Sequence, residues 1–182
     1  SSSLASGGSG TYTYQWQKSE NDGYTWANIN GATSTTYDPP SLTITTMYHR
    51  VATASGGGSA NSNSVTKTVY PVLYGGSIGP DQNICYNSIP AAITNVTSHS
   101  GGSGQYSFQW QSSVNNASSW SDITGASNVS FSPGLSTRTT YYRRRLTDSN
   151  GCGTVYSDTA TVTVNALSYP DSSMNYIYIR EP

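Results

Sequence analysis

Two stretches decide how this chain is read: GSGTYTYQWQKSENDGYTWANINGATSTTYDP from Gly8 to Pro39, and GSGQYSFQWQSSVNNASSWSDITGASNVSFSP from Gly102 to Pro133. They carry one pattern in one register. The offset is 94 at Trp16 and Trp110, Trp26 and Trp120, Gly31 and Gly125, Pro39 and Pro133, and Tyr48 and Tyr142; it becomes 95 by Val69 and Val164. A repeat this long, with turn residues about every ten positions, is a small domain rather than one element of a solenoid or propeller. The sequence therefore divides into copy one (1–71), copy two (72–166) and a tail (167–182) that continues neither.

Copy two is the fuller text, and its strands read directly. Gln105–Ser113 alternates Tyr106, Phe108 and Trp110 with Ser107, Gln109 and Gln111, the period of a half-buried strand with its aromatic face inward. Around it the pattern predicts strands at Ile84–Tyr86, Ala92–Val96, Trp120–Ile123, Val129–Ser132, Thr139–Thr147 and Thr154–Val164. Asn150-Gly151 supplies the tight turn before the last of these. No stretch shows a convincing helical period. Six or seven short strands in about ninety residues predict an all-β fold of tandem immunoglobulin-like β-sandwich domains.

Copy one matches only from Gly7 onward and has no counterpart of Ser77–Ser98, the stretch that opens copy two. A sandwich lacking those strands leaves an apolar face and a sheet edge open. This predicts either a start upstream of Ser1 or a cover from elsewhere, including strand addition by another protein. Tyr70-Pro71-Val72-Leu73-Tyr74 reads as a short linker with limited bending. In the tail, Asn175–Ile179 alternates Tyr176 and Tyr178 with Ile177 and Ile179, the pattern of a strand.

Composition narrows function by exclusion. Charged residues make up 9% of the chain and the net charge is −1, which is no electrostatic footprint for nucleic acid. Apolar runs are too short to span a bilayer as helices, so membrane insertion is not expected. Hydrophobic residues are only 34%, yet 15 Tyr and 4 Trp argue against disorder and for half-exposed strands. Cys85 and Cys152 have no zinc-ligand spacing, and in a chain of secreted-looking composition a structural disulfide between them is the expectation, with two unrelated buried thiols as the alternative.

Several strings in order carry a resemblance: QxICYxxxP (Gln82–Pro90), GGSGxYxxQWQxS (Gly101–Ser113), WxxIxGA (Trp120–Ala126), TTYYRR (Thr139–Arg144) and NGCG (Asn150–Gly153). Together they resemble the Ig-like repeats of Bacteroidota surface adhesins, the SprB-like repeat proteins of gliding motility. The match is full over 75–165 and partial over 7–70. It implies export by the type IX system, display at the cell surface, and a role as stalk, spacer or adhesive segment of a longer chain. Met174–Pro182 is similar to the segment leading into Rhs/YD-repeat regions, which implies a display or delivery portion of such a protein.

The candidate residues follow from strand geometry. Trp16, Trp110, Tyr48 and Tyr142 are placed in the core, on inward faces. Trp26 and Trp120 follow turns and are the candidate glycan contacts, Trp120 with Tyr141 or Tyr156 beside it. Arg143-Arg144-Arg145 is not one basic patch, because successive side chains on a strand point to opposite faces. Arg144, like Arg50 in copy one, is expected to be a structural arginine on an aromatic face or paired with a carboxylate. His49 and His99 have no ligand partner at useful spacing, and Asp148-Ser149-Asn150-Gly151 lacks the later Glu of a calcium loop. No nucleophile–base pair or facing carboxylates appear, so the reading is non-enzymatic, without metal or cofactor. The partners it leaves are a surface polysaccharide or another cell-surface or secretion-system protein.

Overall fold

The computed structural model describes residues 6–165, which contain strands and no helix. The chain forms two compact units, 1–71 and 72–182. The predicted tail strand at Asn175–Ile179 lies outside the described residues.

Unit 1 is built on β1 (Tyr12–Ser19), β2 (Ala27–Asn28), β3 (Thr46–Ala54), β4 (Ser59–Asn61) and β5 (Val65–Lys67). They form one sheet in the order β2-β1-β3-β4, with β5 also against β3. β1 and β3 pair antiparallel from Tyr12↔Ala54 to Ser19↔Met47 and set Trp16 opposite Arg50. β-branched and aromatic residues suit this half-buried pleat, and the Thr and Tyr content of β1 and β3 supplies them.

Unit 2 repeats that sheet and adds a layer. Its strands are β6 (Ser77–Gly79), β7 (Gln82–Cys85), β8 (Thr94–Thr97), β9 (Tyr106–Ser113), β10 (Ser121–Asp122), β11 (Thr140–Asp148), β12 (Thr154–Tyr156) and β13 (Ala160–Asn165). The main sheet runs β10-β9-β11-β13-β7, with β12 also on β11. Facing it, β6 and β8 form a two-stranded sheet, and the chain just before β8 bridges through Ile93 to Phe131. Ile78, Ile93, Trp110, Tyr142, Ala160 and Val162 fill the space between the layers. Along β11 buried and part-exposed residues alternate without a break, so Arg144 points inward while Arg143 and Arg145 point out.

The predicted strand Val129–Ser132 does not form; only Phe131 bridges there, to Ile93. The sequence pattern differs from the structure in three further places. The predicted return strand Thr154–Val164 is two strands, because Ser157 leaves the ladder: its hydroxyl accepts the Arg144 N–H at 2.9 Å and Asp158 accepts the Ile78 N–H at 2.7 Å. The stretch read as a linker is partly domain. Leu73 is buried and Tyr74 exchanges backbone hydrogen bonds of 2.8 and 3.1 Å with Ser100. Gly101 permits this approach at φ +77°, and a Cβ there would fall on the Val72 carbonyl.

The third difference concerns the cysteines. Cys85 lies opposite Asn165, at the end of the sheet where β11 begins, whereas Cys152 lies in the turn after β11 ends. The whole of β11 separates them, roughly 30 Å at about 3.3 Å per residue. A disulfide needs Cα atoms within about 7 Å. Both thiols are accordingly free and exposed, and the expected Cys85–Cys152 bridge is not formed. Two thiols per chain are expected to react with Ellman's reagent under native, non-reducing conditions. Dithiothreitol is expected to leave the melting temperature unchanged; a drop on reduction would contradict this geometry.

Candidate functional site

Each unit is centred on an arginine. Arg144 is fully buried, and its Nη1 donates to Asn95 Oδ1 at 2.7 Å and to the Val129 carbonyl at 2.5 Å, with Nη2 3.4 Å from the Gly75 carbonyl. The guanidinium carbon lies 4.9 Å from the Phe108 ring centroid and 5.9 Å from that of Trp110. Burial pulls its pKa below the ordinary value, but a guanidinium stays charged at any working pH. Arg50 repeats the arrangement, with Nη1 2.5 Å from the Thr35 carbonyl and the Tyr14 and Trp16 rings at 4.5 and 5.9 Å. Of the two sequence alternatives for Arg144, aromatic stacking is realised; its oxygen partners are amide and carbonyl rather than carboxylate.

A second duplicated device fixes the neighbouring strand. Gln15 Nε2 donates to the Trp16 and Ile29 carbonyls at 2.9 and 2.8 Å, and Gln109 donates to those of Trp110 and Ile123 at the same distances. The indole N–H of Trp16 reaches Ser34 O at 3.0 Å, and that of Trp110 reaches Asn128 O at 2.8 Å.

On the outward face stand the candidate glycan contacts. Trp26 is stacked on His49 with centroids 3.8 Å apart and planes 20° apart. His49 is 2.7 Å from Gln17, and burial lowers its pKa, favouring neutral imidazole. In unit 2 Arg143 takes the histidine's place: its guanidinium carbon lies 4.3 Å from the Trp120 centroid and 4.0 Å from that of Tyr156. Arg143 Nε donates to Gln111 at 2.8 Å, and Gln111 donates to Asp122 at 2.6 Å. One face of each tryptophan is thus engaged within its own domain. Trp120 has Tyr156 in its cluster, while the Tyr141 hydroxyl donates to Asn116.

The inner faces of the two units differ sharply. Trp110 is 0% exposed, as are Ala160 and Val162, and Tyr142 is buried. Tyr48 is equally buried in unit 1, but Trp16 is only half-buried, a departure from the fully packed core position expected of it. Val65, the counterpart of Ala160, is 51% exposed, and Lys67 replaces Val162. Trp16, Tyr37, Pro39, Tyr48, Val65 and Lys67 line a groove of about 300 Å³.

The Asp148 turn holds no vacant ligand set. Burial alone would raise the Asp148 pKa, but hydrogen bonds from the Ser103 N–H and hydroxyl, the Cys152 N–H and the Asn150 N–H hold it down to about 2. Among the described residues no group of three or more His, Cys, Asp or Glu could hold a metal. Sequence reading placed Trp16, Trp110 and Arg144 on their strands, whereas Trp120, read as opening a strand, lies just before β10. It missed Asn95 and Ser103 as partners. The spacing to Arg144 and Asp148 is long, and nothing local marks either residue as a partner.

This architecture defines a pair of immunoglobulin-like β-sandwich repeats. Residues 1–71 and 74–166 match the family described as Domain of unknown function (DUF8696), and the chain belongs to it. No curated protein matches the sequence. Among solved structures, the three N-terminal domains of the bacteriophage RB49 Highly Immunogenic Outer Capsid protein (Hoc) are similar at 11% identity and a TM-score of 0.50. The alignment covers 86% of this chain and 58% of that one, so this chain spans under two thirds of its neighbour.

Two outcomes follow. Asn95→Ala removes the side-chain oxygen that meets the buried guanidinium and is expected to destabilise unit 2 by about 1–3 kcal/mol, read by urea denaturation. Because the folded Asp148 pKa lies below its ordinary value of 3.8, the unfolded chain takes up the proton first. Its contribution is therefore present above the ordinary value and lost as pH falls toward about 2. Asp148→Asn is expected to be less stable at neutral pH and to lose less on acidification through that window.

Proposed function

We propose that this chain is a non-enzymatic, extracellular repeat module, a stalk or adhesive segment of a larger cell-surface or secreted protein. The observation that carries this reading is the duplication of one strand-and-arginine framework. Arg50 and Arg144, Gln15 and Gln109, and Trp16 and Trp110 make equivalent bonds within their own sheets. Repeating a domain whose polar groups brace its own strands adds length and contact surface rather than chemistry. The similar phage protein is an outer capsid protein, a setting of the same surface kind. The resemblance to SprB-like repeats supports display through the type IX route.

A glycan-binding reading has one specific observation behind it, the partly exposed Trp120–Arg143–Tyr156 stack. Antibody raised against unit 2 is expected to label intact cells of the source organism, and protease applied to those cells should remove the signal. Labelling only after lysis would rule out surface display. On a glycan array the chain is expected to show no signal that Trp120→Ala abolishes; such a signal would favour the glycan reading.

A further inference from the structure

The two copies have diverged in opposite electrical senses on two scaffolds they share. One scaffold is the turn that follows β1 or β9. In unit 1 Asn21 braces it, its Oδ1 accepting the Ser19 hydroxyl at 2.9 Å and the Thr25 N–H at 3.0 Å. Asn115 does the same in unit 2, toward Ser113 at 2.8 Å and Ser119 at 3.2 Å. Both tips sit in the left-handed region, at φ +55° for Asp22 and +61° for Asn116. What the tips carry differs. Asn116 accepts the Tyr141 hydroxyl at 2.7 Å, which ties it to its own sheet. Met47 stands in that tyrosine's place in unit 1, and the Asp22 carboxylate has no partner among the described residues. Tyr24, two residues on, is 89% exposed where unit 2 has Ser118.

The other scaffold is the outward face of the main sheet. In unit 2 it carries Arg143 and Arg145 where unit 1 has His49 and Val51. The three consecutive arginines of β11 use their guanidinium forks differently. Arg144 is bonded inside the core, and Arg145 directs both Nη atoms at Asp122, at 3.4 and 3.1 Å. Arg143 lies against the Trp120 and Tyr156 rings and uses Nε on Gln111. Neither of its Nη atoms has a partner among the described residues, and both reach solvent. Lys18 is paired with Glu20 and Arg145 with Asp122, so Asp22 and Arg143 are the uncompensated charges of the two scaffolds.

We propose that the outward face of unit 2 binds the turn from Asn21 to Tyr24 of a second copy of this chain. The Asp22 carboxylate docks on the two free Nη atoms of Arg143, and Tyr24 packs beside it on the exposed ring of Tyr156. A guanidinium fork matches a carboxylate with two parallel hydrogen bonds. Both partners are already held, the arginine by its rings and Gln111 and the turn by Asn21, so little freedom is lost on contact. Trp, Tyr and Arg are also the side chains that carry most interface energy. With a net charge of −1 the copies repel each other little. Every copy carries both halves of the contact, which therefore closes as a reciprocal pair or continues from copy to copy.

The test is sedimentation of the full chain over a concentration series, under reducing conditions that keep the exposed cysteines from cross-linking copies. Mass is expected to rise with concentration at low salt and to return to monomer at high salt, where an exposed ion pair is screened. Asp22→Asn combined with Tyr24→Ser puts unit 2's own residues on an exposed tip, which spares the fold. That variant is expected to associate more weakly by about tenfold or more. Asp22→Arg and Arg143→Glu, each checked for native near-UV circular dichroism, are expected to stay monomeric alone and to associate when mixed. In the mixture the native turn of the second meets the native face of the first. The proposal is overturned if the unaltered chain stays monomeric throughout, or if its association is indifferent to salt. Association that survives Asp22→Asn with Tyr24→Ser, or two folded charge variants that do not associate on mixing, overturns it equally.

Discussion

A guanidinium buried without a carboxylate is the constraint around which unit 2 is organised. Removing a cation from water is expensive, and a lone neighbour rarely compensates. Here the compensation is distributed. The Asn95 amide and the Val129 carbonyl accept strong charge-assisted bonds, and the rings of Phe108 and Trp110 present their negative faces. These groups come from β8, β9 and the chain between β10 and β11, so the arginine can be solvated only when both layers are assembled. In antibody domains the comparable place, two residues beyond the strand tyrosine and against the core tryptophan, holds the inter-sheet disulfide. Tyr142, Trp110 and Arg144 keep that spacing, and the Arg144–Asn95 bond spans the layers instead.

That substitution explains why the cysteines misled the sequence reading. Two cysteines in one small domain invite a bridge, and nothing in their local sequence reveals that β11 holds them at opposite ends of the sheet. The cross-layer link of this domain is made by residues whose partnership is visible only in space. What was legible is what depends on local period. The alternation of β9 and β11 sent Trp110 and Arg144 inward and Arg143 and Arg145 outward, as a two-residue repeat must. The break at Ser157 was not legible, because a serine hydroxyl replacing a ladder bond leaves the apolar alternation of the surrounding residues intact.

The outward tryptophans show the same limit from another side. Their position after a turn suggested an exposed platform, and they are only partly exposed. His49 in one unit and Arg143 in the other lie against the ring, each tied to a glutamine of the adjacent strand, Gln17 on β1 or Gln111 on β9. An imidazole and a guanidinium share little chemistry beyond flatness and a polar edge. That they occupy one structural role indicates that the role is stacking, with the glutamine setting the angle.

The two units also separate what builds the sheet from what closes it. Hydrogen bonds of Gln15 and Trp16 brace the strands in unit 1, as those of Gln109 and Trp110 do in unit 2, and these bonds require only residues within the main sheet and its loops. Closure of unit 2 instead depends on isoleucines carried by a different stretch of chain, from β6 to β8. A sheet whose register is pinned by its own side chains need not be organised by the layer that covers it. Pre-ordering of this kind lowers the entropic cost of packing that layer in place. The Gln15 and Gln109 bonds thus fix the strands of each main sheet independently of what covers its apolar face.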